Sequence, residues 1–115
     1  DNLDSSIRNA VRAVIIGGSR IPFCRSNSVY FEKSNMDLLA ASLQGLADRF
    51  DLHGVKIDEL TAGAVTTHSR DWNLAREALQ STTLSPLTPG ITMQQACATS
   101  LQGALYLGGK IATGE

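Results

Sequence analysis

The stretch MQQACATSLQGALYLGGK, Met93 to Lys110, places a cysteine where a β-branched run gives way to a helical pattern of small residues. ITMQQA, residues 91–96, reads as a strand. Leu101, Ala104, Leu105, Gly108, Ile111 and Ala112 then recur as one apolar face of a helix. Ala98, Gly103, Ala104, Gly108 and Gly109 are poor at covering a helix or cost helix propensity, which implies a helix approached closely by its neighbours. The expectation is a buried central helix with Cys97 in its first turn.

Working outward, AVRAVIIGG (10–18) gathers Val11, Val14, Ile15 and Ile16 before paired glycines and reads as a buried strand. A long loop follows, since Pro22 denies a helix there. Ser34 and Asp37 fit a capping box. Leu39, Leu43, Leu46 and Phe50 recur on one helical face, and Gly54 is read as the stop. ELTAGAVTT (59–67) reads as a second strand and 68–71 as a polar loop. Asn73 is placed to cap a short helix to about Ser81 with Leu74, Ala78 and Leu79 inward. Pro86, Pro89 and Gly90 mark a connector. Strand and helix thus alternate three times, β-α-β-α-β-α, which predicts an α/β layered fold with a mostly parallel sheet. Residues 1–10 are read as a flexible tail and 11–115 as one partial domain.

The chain has 115 residues and 43% hydrophobic content, enough for one modest core. Ten Lys and Arg against eleven Asp and Glu leave a formal charge of -1, with no basic surface for nucleic acid. No apolar run approaches the roughly 20 residues of a membrane span, and no signal-peptide pattern opens the chain, so a cytoplasmic location is expected. Two cysteines make no disulfide framework, and both are read as thiols. The missing initiator Met and the stop at Gly114-Glu115 suggest a processed or truncated chain.

Several chemical motifs fail on spacing. Gly17-Gly18 follows the first expected strand but lacks the third glycine of a dinucleotide site, and Pro22 lies where the phosphate-binding helix should open. Gly108-Gly109-Lys110 has Ile111 in place of the Ser or Thr of a P-loop. His53 and His68 have no partners at zinc-like spacing, so no metal site is expected. Trp72, Tyr30 and Tyr106 are too dispersed for a stacking platform.

Cys97 remains. In the first turn of a helix it meets the positive end of the dipole and unsatisfied N–H groups, which favour thiolate over thiol. The carboxyl end of a strand is where open α/β sheets gather ligands. Backbone N–H groups near Cys97 are also candidates to hold an oxyanion on an attacked carbonyl. Free cysteine is nonetheless among the most buried residue types, so position alone favours a structural role. The small residues that follow it fit a buried central helix with a reactive first turn better than a surface helix.

Three segments, GGSRIPFCR (17–25), NLARE (73–77) and QQACATSLQGA (94–104), together resemble the amino-terminal part of a thiolase, over about Val11 to Glu115. In that resemblance Arg20 and Pro22 belong to a structural Arg-x-Pro turn, and Cys24 stands where a small residue is usual and is read as a packing thiol. Asn73 and Arg76 match a helix start that shapes the fold and subunit interface. Cys97 matches the cysteine that takes the acyl group. The run Cys97-Ala98-Thr99-Ser100 resembles the form found in the branch linked to fatty-acid degradation.

The resemblance implies acyl transfer between 3-ketoacyl-CoA and CoA, or condensation of two acetyl-CoA, through an acyl-cysteine. Coenzyme A thioesters are then substrates, no cofactor is needed, and the family habit is a homodimer or homotetramer. The family's Gly-His-Pro histidine and second cysteine are not among these residues, so the 115-residue chain by itself is expected to show no turnover, and its unfinished sheet to expose an edge. Two competing readings are a ketoacyl synthase-like fragment, which loads acyl groups on a similar cysteine, and a non-catalytic acyl-CoA-binding or assembly module.

Overall fold

The computed structural model describes residues 12–25, 28–66 and 72–114. The tail expected over 1–10, Val11, and the polar loop 68–71 with His68 lie outside them. The elements in chain order are α1 (Asn35–Phe50), β1 (Leu60–Gly63), α2 (Leu74–Gln80), β2 (Gly90–Met93), a 3-10 turn (Ala96–Ala98) and α3 (Thr99–Thr113).

α1 opens as its sequence dictates. Ser34 Oγ accepts from Asp37 N–H at 3.2 Å and Asp37 Oδ2 accepts from Ser34 N–H at 3.0 Å, so two otherwise unserved amides are satisfied reciprocally. Its end comes three residues before the expected glycine: Asp51 takes a left-handed conformation (φ 52°) and donates its N–H to Ala47 O. Gly54 (φ 72°) instead turns the chain so that its N–H reaches Thr83 O. Leu43 and Ala47 are the buried residues of α1.

β1 and β2 pair in parallel, Leu60 with Gly90 through Gly63 with Met93, and α2 is the crossover between them. Leu74, Ala75, Ala78 and Leu79 are all buried, so this short helix is anchored by one continuous apolar face. Ala47, Leu79 and Leu84 form the core, with Leu52, Ile57 and Leu60 packed against it. Thr88 is fully buried and accepts from Ile57 N–H at 3.1 Å, which joins the connector before β2 to the approach to β1.

Two expectations need correction. The first strand does not form over the described part of its range: residues 12–20 are irregular, and Val14, Ile15 and Ile16 are 73%, 96% and 88% exposed. A strand requires a ladder partner, and among the described residues the sheet has only β1 and β2. The segment runs instead beside α1, with Arg49 donating to Gly18 O at 2.9 Å and the Phe50 ring filling the space at Gly17. The alternation over the described residues is therefore α-β-α-β-α.

α3 is not buried on all sides. The apolar face expected to form its core contact is turned outward, with Leu101 and Leu105 more than 60% exposed. The sheet side carries buried Thr99 and Gly103 and half-buried Tyr106 and Lys110, one helical row. Size contributes to this choice, because a Cβ at Gly103 would meet Thr61 Cγ2 at 3.1 Å, a tight contact that a glycine avoids where the helix lies against β1.

Candidate active site

The carboxyl ends of β1 and β2 lie side by side, and the loops leaving them are cross-linked. Gln94 Nε2 donates to Val65 O, and Asn35 Nδ2 donates to Thr66 O at 2.9 Å, so α1, the exit of β1 and the exit of β2 meet at one end of the sheet. Cys97 stands at that end, in the 3-10 turn that opens α3, and is exposed.

The turn beneath Cys97 is strained. Ala96 has φ 46°, the left-handed region, which costs an alanine about 1–2 kcal/mol. Side chains on both sides hold it there. Gln94 Oε1 accepts from Ala96 N–H at 2.6 Å, and Thr99 Oγ1 donates to Ala96 O at 2.8 Å while accepting from Gln95 N–H at 2.9 Å. Thr99 is 7% exposed, so its hydroxyl works in a nearly dry setting.

Unlike α1 and α2, neither the 3-10 turn nor α3 has a side-chain cap. The N–H of Cys97 therefore sits in an opening turn with no preceding helical carbonyl to serve it, beside the residue's own thiol.

Gly63 makes this packing feasible. A Cβ there would fall inside the van der Waals envelopes of Met93 O and Thr99 Cγ2. The end of β1 is thus pressed directly against the support of the Cys97 turn.

At its far end α3 is tied to the start of β1. Lys110 Nζ donates to Glu59 Oε2 at 2.6 Å, and Tyr106 O–H donates to Glu59 Oε1 at 2.9 Å. The Lys110 hydrogen bond, with help from Tyr106 and against the effect of burial, holds the Glu59 carboxyl below its ordinary value, and the same contact raises Lys110.

The other residues singled out from sequence fall elsewhere. Asn73 Oδ1 accepts from Arg76 N–H at 3.1 Å and from Thr92 Oγ1 at 2.6 Å, which joins the cap of α2 to β2. Arg76 donates to Pro86 O at 2.5 Å and Thr88 O at 3.2 Å, so both residues shape the fold. Arg20 stacks on Phe23 at 4.5 Å, and Tyr30 O–H donates to Pro22 O at 2.8 Å. Cys24 is exposed rather than packed, because its loop runs over the surface. It lies against the Tyr30 phenol, which burial first and the Cys24 contact second push above its ordinary value.

His53 shares Thr83 Oγ1 (2.6 Å) and Asp48 (3.5 Å) beyond the end of α1, and Trp72 is exposed. Among the described residues no three His, Cys, Asp or Glu side chains group to hold a metal, and no helix is long and apolar enough to cross a membrane.

Sequence reasoning singled out Cys97 and did not single out the residues that hold its turn. Gln94, Ala96 and Thr99 carry no signal of their own, since an alanine gives no hint of a left-handed turn. The i, i+4 spacing of Tyr106 and Lys110 was visible, but their partner Glu59 is distant in sequence.

Comparison with known proteins matches residues 13–115 to the family described as thiolase, N-terminal domain. The mitochondrial trifunctional enzyme subunit beta of Mus musculus is 34% identical over 107 residues, covering 93% of this chain and 22% of that protein. The 3-ketoacyl-CoA thiolase of Photorhabdus laumondii is 33% identical over 103 residues, covering 90% of this chain and 24% of that protein. The chain spans less than a quarter of the length of these curated relatives. A parallel α/β unit that sets an exposed cysteine on a strained strand-to-helix turn, matched over all but its first twelve residues, belongs to the thiolase family of acyltransferases and represents its N-terminal domain.

Proposed function

We propose that Cys97 is the acyl-accepting nucleophile of a protein that moves acyl groups between 3-ketoacyl-CoA and CoA. The observation that carries the reading is the exposed thiol at the carboxyl end of β2, on the turn that opens α3, within the segment matched to the family. The relatives named 3-ketoacyl-CoA thiolase support this substrate class.

In the degradative direction the Cys97 thiol loses its proton to a base and the sulfur attacks the 3-keto carbon. The carbonyl oxygen becomes an oxyanion, for which the Cys97 N–H is one donor. The oxyanion collapses, the bond between C2 and C3 breaks, and the departing carbanion takes a proton to leave as acetyl-CoA. The thiol of a second CoA then displaces Cys97 from the acyl group. Condensation of two acetyl-CoA runs the same steps in reverse. These residues supply the nucleophile and one donor, while the base and the acid that protonates the carbanion come from groups outside them. No turnover is expected of the 115 residues alone.

The test is acylation of the native protein carrying this chain by acetoacetyl-CoA, read by intact mass, with Cys97→Ser and Cys24→Ser variants. Acylation lost only in Cys97→Ser is the expected result. Binding of CoA thioesters without acylation would assign the non-catalytic module instead, and acceptance of acyl carrier protein in place of CoA would assign the synthase. A homodimer or homotetramer and a cytoplasmic location complete the proposal; the mitochondrial location named for the trifunctional-enzyme relatives is the competing compartment, and subcellular fractionation separates the two.

A further inference from the structure

We infer that Gln94 and Thr99 are positioning residues that hold the Cys97 sulfur and the Cys97 N–H in register with one reacting carbonyl. The inference rests on the acyl-transfer reading of Cys97. An acyl transfer needs the two groups on the same carbonyl at once, the sulfur on carbon and the N–H on oxygen, so the peptide joining residues 96 and 97 has to be fixed in orientation. That peptide follows the left-handed Ala96, a conformation the residue would leave if released.

Two side chains block the release from opposite ends. Gln94 occupies the Ala96 N–H and ties it across to Val65 O at the exit of β1. Thr99 occupies the Ala96 C=O, the oxygen of the very peptide whose nitrogen is Cys97's. Its second bond, from Gln95 N–H, fixes the residue before the strained one. Rotation of this peptide would break a hydrogen bond in a site where Thr99 is all but closed to water. The hydrogen bonds of both residues go to backbone groups, so both act through the backbone.

The two chemistries of a thiol separate this role from general support of the fold. Alkylation by iodoacetamide needs the sulfur and no oxyanion donor, whereas acylation by acetoacetyl-CoA needs both. In the native protein carrying this chain, Thr99→Val and Gln94→Ala are expected to slow acylation of Cys97 by about 100-fold, the scale of a misplacement of about 1 Å. Alkylation of Cys97, measured against Cys24 in the same molecule, should stay within about twofold. Thr99→Ser, which keeps the hydroxyl, should restore acylation.

Variants that acylate at the wild-type rate would overturn the inference. So would a parallel fall in both reactions, or failure of Thr99→Ser to restore acylation, since each points to packing rather than orientation. A wild-type protein that alkylates at Cys97 but never acylates would refute the acyl-transfer reading itself, before any variant is compared.

Discussion

Replacing Gly63 by alanine should damage both the fold and the chemistry, and the structure sets the scale. Gly63 ends β1 opposite Met93, and a Cβ there would overlap Met93 O and Thr99 Cγ2 and stand 3.2 Å from Met93 C. Neither overlapped group can swing away, since one is backbone of the paired strand and the other belongs to a buried side chain held by two hydrogen bonds. Ordinary carbon contacts require roughly 1 Å of separation to be regained, by displacing the turn as a whole. Overpacking of this kind costs about 1–3 kcal/mol, which urea denaturation of the native protein would read as a lower midpoint at unchanged slope. On the proposed acyl-transfer role of Cys97, a displacement of about 1 Å at its sulfur should lower that transfer by about 100-fold. Gly18→Ala is the control: nothing lies within 4 Å of its added Cβ, so stability should stay within about 0.5 kcal/mol. A Gly63→Ala protein with the wild-type midpoint and the wild-type rate would refute the close contact between β1 and the Cys97 turn.

Asn73→Ala should cost about 1–2 kcal/mol by urea denaturation, because it removes the cap of α2 and the acceptor for the Thr92 hydroxyl together, while Asn73→Asp should retain most of the stability. The Glu59–Lys110 pair should leave its mark on pH dependence. Glu59 is held below 4.5, so its stabilisation is complete above that value and is lost as pH falls through the lowered one. Lys110 is held above 10.5, so its share is complete below that value and is lost as pH rises through the raised one. Glu59→Gln should therefore lower the urea midpoint at neutral pH and flatten its decline in acid; an unchanged acid limb would show that the pair contributes nothing measurable.

Where local chemistry decides an element, the sequence disclosed it. Ser34 with Asp37 announced the start of α1, the spacing of Leu39, Leu43, Leu46 and Phe50 announced its length, and Asn73 announced α2. Both strands of the parallel pair were visible as short apolar runs bounded by turns. The stretch Val14–Ile16 misled because hydrophobicity records a need for burial without naming the partner that meets it, and a strand exists only in a ladder. α3 misled for the opposite reason. Its apolar residues drew attention to the exposed face, whereas the side that meets β1 carries the small Gly103 and the polar ends of Tyr106 and Lys110 that find Glu59. The thiol itself was legible from its junction. The left-handed Ala96 and the two side chains that hold it were not, since the bonds run from the Gln94 and Thr99 side chains to backbone groups that any sequence possesses.

The attachment of α3 to β1 has a bearing on how such a protein can change. From Thr99 to Lys110 the helix rises about 16 Å, and from Glu59 to Gly63 the chain advances about 13 Å: two rods of nearly matched length, latched at both ends. Sliding or rolling the helix would open a latch, so the coordinates of the thiol are referenced to a strand rather than to a loop. The face bearing Leu101, Leu105 and Ile111 takes part in neither latch. Substitutions there leave both latches untouched, so the outer face and the position of the thiol can vary separately on a single fifteen-residue helix.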